Sequence, residues 1–213
     1  MLRHGAVEPC WGVKIEELKK MQKRIKKDYR LALDLYDSGV YDARYLAGLI
    51  ADDALMTAAD LRHWLANACR PLAGVTVPSV AAGSPHGWDL ALEWLEAEDE
   101  MTALAGWATL AAIVSVRADA ELDTAALRKL IERVEAEIHS APNQVRYQMN
   151  GFLIAVGCFV PALTDAAKAA GARTGKVVVD MGDTSCQVPY APEYIAKVEA
   201  RGTVGKKRKS AKC

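Results

Sequence analysis

The sequence predicts an all-α protein in which helices stack in pairs as a solenoid. Three observations carry that prediction. Apolar residues recur at three- and four-residue spacing through almost every segment between turn signals, the pattern of helices that bury one face. Three segments share a small residue in mid-helix: Leu46-Ala47-Gly48-Leu49, Leu104-Ala105-Gly106-Trp107 and Met149-Asn150-Gly151-Phe152. Their glycines lie 58 and then 45 residues apart, an irregular period within the range of two-helix repeats, and each is expected to let a neighbouring helix approach closely. Finally, the only strand-like stretch, residues 177–189, is too isolated to build a sheet.

Taken in order, residues 1–12 have no periodicity and contain Gly5, Pro9 and Gly12, so they read as an N-terminal arm whose end Trp11 is expected to pin. From Lys14, the apolar stripe Ile15, Leu18, Met21, Ile25 is surrounded by Lys19, Lys20, Lys23, Arg24, Lys26 and Lys27, an amphipathic helix with a basic exterior. The next helix stops at Ser38-Gly39, where glycine suits the left-handed C-terminal residue. A short connection leads to the helix from Tyr41, which must therefore run antiparallel. Thr57 is the expected N-cap of the helix bearing Leu61, Trp64 and Leu65, with Asp60 as the capping-box acid. Residues 70–84, with two prolines and two glycines, predict a bend and one brief helix. Ser84-Pro85 opens the helix of Trp88 and Trp94, and a helix apolar all round follows from Met101 to Val116. Asp123 caps the stripe Leu127, Leu130, Ile131, Val134, Ile138. Pro142 suits a first helical position, with His139 near the start of the helix it opens. An Ala-rich helix to about Arg173 and a short one from Pro192 to Ala200 complete the chain before a basic tail. The expected architecture is one HEAT-like helical-repeat solenoid, an α-α superhelix, over residues 13–201, with the tail from 202 to 213.

Composition narrows the function. No apolar run reaches the roughly 18 residues a membrane span needs, and the N-terminus lacks a signal-peptide core, so a cytoplasmic protein is expected. The five cysteines are widely spaced and contain no C-x-x-C, which argues against a disulfide framework and a zinc site; no cofactor is expected. Asp180, Asp183 and Cys186 mix hard and soft donors without a histidine, a poor metal set, and read better as a turn with Asx-type hydrogen bonds. The zero formal charge conceals an asymmetry. Residues 14–27 carry seven Lys or Arg against two Glu, and residues 201–213 carry six and no acid, so the middle of the chain is strongly acidic. Basic ends suit a polyanion such as nucleic acid, or solubility alone.

The helix beginning near Asn143 carries the most unusual decoration. At about 100° per residue, Asn143, Arg146 and Asn150 share one narrow line, opposite Val145, Met149, Phe152, Val156 and Phe159. An arginine between two carboxamides, with Tyr147 adjacent, offers donors for phosphates or base edges. The alternative is that these groups satisfy loop carbonyls between helices.

The run Gly12-Val13-Lys14-Ile15-Glu16-Glu17-Leu18-Lys19-Lys20, then Ala32 to Asp52 (Ala-Leu-Asp-Leu-Tyr-Asp-Ser-Gly-Val-Tyr-Asp-Ala-Arg-Tyr-Leu-Ala-Gly-Leu-Ile-Ala-Asp), followed by Asp53, Met56-Thr57 and Trp64, resembles the opening of the bacterial DNA alkylation repair (AlkD-like) family. The similarity spans roughly residues 12–160. It implies a HEAT-like solenoid cradling duplex DNA in a basic groove, and an activity that excises cationic alkylpurines with an acid near the sugar, because developing positive charge needs a nearby anion. Against that pattern, residues 70–80 contain no acid, and the family's Arg-Lys-x-x-Gly-Trp run corresponds to Arg146–Phe152, with Phe in place of Trp and pointing inward by helical count.

The expected function is therefore a DNA-binding helical-repeat protein that recognises or excises alkylated bases in duplex DNA. The alternatives are a non-catalytic binder of damaged or branched DNA and a protein-interaction solenoid. The candidate contacts are Arg146, Asn143, Asn150 and Tyr147, meeting His86 and Trp88 where the polar line reaches the loop of residues 70–88. Lys19, Lys20, Lys23, Arg24, Lys26, Lys27, Lys206, Lys207, Arg208, Lys209 and Lys212 would hold phosphates.

Overall fold

The computed structural model describes residues 5–212, so the first four residues of the expected arm and Cys213 lie outside the described residues. Eleven α-helices are present among them: α1 Ile15–Ile25, α2 Tyr29–Asp37, α3 Tyr41–Ile50, α4 Ala58–Ala66, α5 Val77–Gly83, α6 Gly87–Leu95, α7 Glu100–Val116, α8 Thr124–Glu137, α9 Asn143–Phe159, α10 Thr164–Thr174 and α11 Ala191–Ala200. No described residue forms a strand; 177–189 is extended but unpaired. Helices pack as pairs, α2 on α3 and α6 on α7, while α7 also packs on α5 and α9, and α9 carries α10 and α11. No single helix is long and apolar enough to cross a membrane.

Local chemistry sets the helix boundaries. Asp28, Asp99 and Asp123 accept from the backbone N–H groups of Leu31, Thr102 and Ala126, satisfying donors that have no partner inside the helix. Thr57 and Asp60 form the expected reciprocal capping box, and Gly39 ends α2 at φ +77°. Pro142 stands one residue ahead of α9, as its cap, rather than at its first position.

One core runs the length of the stack. Burying apolar surface at about 25 cal/mol per Å² is its main stabilising term. The ring of Tyr36 stacks on Trp64 at 4.2 Å, its hydroxyl donates to the Trp64 carbonyl, and Arg44 covers its other face at 5.1 Å. α7 is buried on nearly every side, and Phe152, fully buried, meets Trp107 at 5.3 Å, which places it inward as its helical position requires.

Residues 70–84 depart from the expected bend. A π-helical turn, Leu72–Thr76, runs straight into α5. Pro78 explains it: proline cannot donate to the carbonyl four residues back and its ring collides with that carbonyl in a regular helix. The wider turn, in which Val77 N–H reaches Leu72 O, relieves both problems.

The shared glycines do not share a role. A Cβ on Gly48 would collide with Thr76, and one on Gly106 would stand 2.9 Å from both Ala91 O and Leu95 N of α6. Around Gly151 there is open space, its nearest neighbour being Gln148 at 3.9 Å. The expectation of close approach fails there, and Gly157, pressed on Ile195 of α11, is the glycine of α9 that a neighbour requires. Gly106→Ala should therefore destabilise by about 1–3 kcal/mol through overpacking against backbone, whereas Gly151→Ala should stabilise by about 0.5–1 kcal/mol through helix propensity. Paired thermal or urea unfolding curves check the opposite signs.

Candidate nucleic-acid interface

The polar line of α9 faces the segment that connects α10 to α11. Asn143 exchanges two 2.8 Å hydrogen bonds with the Asp180 main chain, its amide donating to the carbonyl and its oxygen accepting from the N–H. Arg146 donates to Val178 O at 2.8 Å and to Ala141 O at 3.0 Å. Asn150, buried, donates to Pro189 O at 2.9 Å. The three side chains thus hold residues 178–189 against the helix, which is the loop-carbonyl alternative. Within that segment Asp180 accepts from Gly182 N–H, and Thr184 from Cys186 N–H. These are the expected Asx- and hydroxyl-type turn bonds.

The expected meeting of this line with residues 70–88 does not occur. The side of α9 turned toward that stretch presents Gln148, whose amide lies against Gly74, and then Ala155 and Phe159. His86 and Trp88 stand at the start of α6, which packs on α5 and α7; His86 is exposed, and Trp88 is half-buried against the core. Tyr147 is half-buried. His139 bonds Thr174 O rather than heading the line. Two residues account for the discrepancy: Arg146 and Gln148 lie about 200° apart on the helix, so only one can face α5.

A pocket where α5, α7 and α9 meet is lined by Gly74, Val75, Pro78, Ala108, Ala112 and Ala155, with Arg208 and Ala211 of the tail along it. Among the described residues no carboxylate lines it.

The C-terminal segment is not a detached tail. Gly205 N–H bonds Cys158 O and Arg208 N–H bonds Ser115 O, so the chain crosses the C-terminal ends of α9 and α7. Lys207 is half-buried there, donating to Val114 O at 2.9 Å and Phe159 O at 2.7 Å, with Asp119 at 2.8 Å. Farther on, Lys212 donates to Ala51 O at 2.7 Å, just past α3, and pairs with Asp53 at 2.6 Å. Each ammonium thus sits on carbonyls that lack helical partners, at the negative end of a helix dipole. Lys207 and Lys212, expected on phosphates, are consumed inside the protein. Lys206, Arg208 and Lys209 remain on the surface.

Next to Lys212, Lys27 at the end of α1 pairs with Asp52 at 3.0 Å. The hydrogen bond to Asp52 holds the Lys27 ammonium above its usual pKa and the Asp52 carboxyl below its own. Burial acts oppositely on the deeper pair, pushing Asp53 up and Lys212 down against their mutual attraction. The two basic ends of the chain therefore meet at Asp52-Asp53, Lys212 arriving from the tail and Lys27 from the end of α1. On α1, Lys20 is paired with Glu16 and Glu17, whereas Lys19, Lys23, Arg24 and Lys26 are exposed without ion pairs among the described residues.

A solenoid of helix pairs whose two basic stretches meet at Asp52-Asp53 defines a helical-repeat protein with cationic surface suited to polyanions. The family is given by comparison: a family model described as DNA alkylation repair enzyme matches residues 1–194, and the chain belongs to that family. Protein Lin0241 of Listeria innocua is 31% identical over 204 residues, covering 93% of this chain and 88% of that protein. Protein Lmo0209 of Listeria monocytogenes is 29% identical with the same coverage. A solved structure described as a new family of proteins related to the HEAT-like repeat DNA glycosylases, with affinity for branched DNA structures, superposes with a TM-score of 0.91 at 31% identity. It covers 100% of this chain and 91% of that one. The all-α, HEAT-like architecture expected from the residue pattern is thereby shown.

Two predictions follow from this geometry. Lys212→Ala leaves the half-buried Asp53 carboxylate uncompensated and should cost about 2 kcal/mol near pH 7. Because burial raises the folded Asp53 pKa above its unfolded value, the folded state takes up that proton first as the pH falls; the deficit should shrink on acidification, as denaturant unfolding at several pH values would record. Arg146→Ala should free residues 178–189 with little change in global stability, read as faster proteolytic cleavage between Lys176 and Tyr190.

Proposed function

We propose that this protein binds DNA, preferring branched or distorted forms, and does not excise bases. The observation that carries the reading is the convergence of α1 and the C-terminal segment at Asp52-Asp53. It joins the two basic stretches of a chain whose net charge is zero, and we read their exposed cations, Lys19, Lys23, Arg24 and Lys26 on one and Lys206 and Lys209 on the other, as one band. Such a band binds phosphates by counterion release and reads no sequence. The described affinity of the similar solved structure for branched DNA supports the choice of ligand. In this reading Asn143, Arg146 and Asn150 act by holding residues 178–189 in place, and the protein works in the cytoplasm without a cofactor.

The absence of excision rests on chemistry. Cleaving a glycosidic bond develops positive charge on the sugar, and a carboxylate placed beside it provides the electrostatic stabilisation. The pocket lined by Gly74, Ala108, Ala112 and Ala155 offers no such group among the described residues, which supports reading the protein as a binder.

Purified protein titrated with a three-way junction, a matched duplex and an alkylated duplex tests the reading. The junction should bind most tightly, with log affinity falling by about 0.9 per engaged phosphate for each unit of log salt, and no free base should appear from the alkylated duplex. A flat salt dependence would remove the cationic band from the account, and released base would make the protein a glycosylase.

A further inference from the structure

The N-terminal arm concentrates exposed apolar surface that the core does not use. Of the nine large hydrophobic side chains left exposed among the described residues, four lie within residues 7–21: Val7 at 50%, Trp11 at 74%, Ile15 at 40% and Met21 at 43%. Trp11 was expected to pin the arm; its indole instead stands in solvent while its main chain is fixed. Asp42, in the first turn of α3 and 4% exposed, accepts from Trp11 N–H at 2.7 Å through one oxygen and from Val13 N–H at 2.9 Å through the other. On the other side of Trp11, Tyr41 N–H bonds Pro9 O at 2.9 Å. A buried carboxylate is costly unless its hydrogen bonds are strong, and here they hold the backbone on both sides of an aromatic ring that packs on nothing large.

Four residues later α1 begins. At 100° per residue, Ile15, Lys19 and Lys23 fall within about 80° of one another, a single stripe with Lys19 and Lys23 about 6 Å apart along the axis, and Lys26 follows as the residue that caps the helix end at φ +67°. None of the three lysines is ion-paired among the described residues. Glu16 and Glu17 are engaged with Lys20 on another side of the helix.

Resting on the DNA-binding reading above, we propose that Trp11 is the branch-point contact: its indole stacks on a base left unstacked where DNA arms diverge, while Lys19, Lys23 and Lys26 hold the phosphates of one arm. A flat aromatic ring beside a row of cations is the general solution for gripping unstacked nucleotides, because every base has a π-face and every linkage a negative charge. In an intact duplex the base faces are covered by their neighbours, so the indole gains only where stacking is interrupted. Junction preference then resides in Trp11 and general affinity in the lysines.

The test uses the full chain and two labelled ligands at one salt concentration, a three-way junction with two unpaired nucleotides at the branch and a duplex of equal length. Trp11→Ala should weaken junction binding about 5- to 100-fold and leave duplex binding within about twofold, with Trp11→Phe retaining most of the affinity. Lys19→Ala, Lys23→Ala and Lys26→Ala combined should weaken both ligands and lower the salt slope by about 2.7. A 2-aminopurine at the branch should be quenched by the parent protein and not by Trp11→Ala. Since Trp11 is on the surface, unchanged thermal unfolding verifies that the variant folds. If the parent prefers the junction and Trp11→Ala binds it equally well, this inference is overturned and the DNA-binding reading stands; if the parent binds neither ligand, both fall. Binding of the parent to anionic phospholipid vesicles that Trp11→Ala loses, without any effect on junctions, would assign the patch to membrane surfaces and also overturn it.

Discussion

The attachment of the C-terminal segment to the stack depends on two ammonium groups placed on helix ends. α3, α7 and α9 all direct their C-terminal carbonyls toward one border of the stack, and Lys207 and Lys212 reach those carbonyls from a segment 48 to 161 residues away in sequence. A helix C-terminus carries unpaired acceptors and roughly half a negative charge. Three gathered at one border would repel one another. The final dozen residues supply the compensating cations, and in doing so tie the last part of the chain to the first.

This arrangement gives the unequal distribution of charge a physical meaning. The acidic middle of the sequence and its basic ends are complementary within one molecule: Lys27 with Asp52, Lys212 with Asp53, Lys207 with Asp119. Lys212 and Lys207 are turned onto main-chain carbonyls of the stack, so part of the positive charge counted along the chain is taken up by the structure itself. What remains outside, on α1 and at Lys206 and Lys209, is smaller than the composition suggests but sits on two stretches that meet instead of lying at opposite ends.

Much of the fold could be read from residue order because helix formation is local. The Thr57–Asp60 box, the Asp123 cap, the glycine ending α2 and the inward Phe152 each depend on neighbours within about four positions, and periodicity reports these faithfully. The candidate interface was harder to read because its contacts are distant. Asn143, Arg146 and Asn150 present the same donors whether they meet a nucleotide or a carbonyl 32 to 39 residues away, and helical position alone cannot separate the two. Gly151 looked like Gly48 and Gly106 for the same reason: the signal lies in the neighbouring helix, and for Gly151 there is none close by. The tail had no periodicity at all, so nothing in its order indicated that Lys207 and Lys212 would be half-buried. Asp42 is the residue that pattern reading passed over; a lone acid at the start of an apolar helix was the available clue.

The grip of α9 on residues 178–189 has an evolutionary implication. All three holding side chains bond main-chain atoms of Val178, Asp180 and Pro189, atoms that most amino acids supply equally. Selection can therefore rewrite the side chains displayed between those anchor points while the attachment persists. The solenoid has, in effect, a replaceable fingertip on a fixed knuckle, a place where substitutions can change what is touched without disturbing how the chain folds.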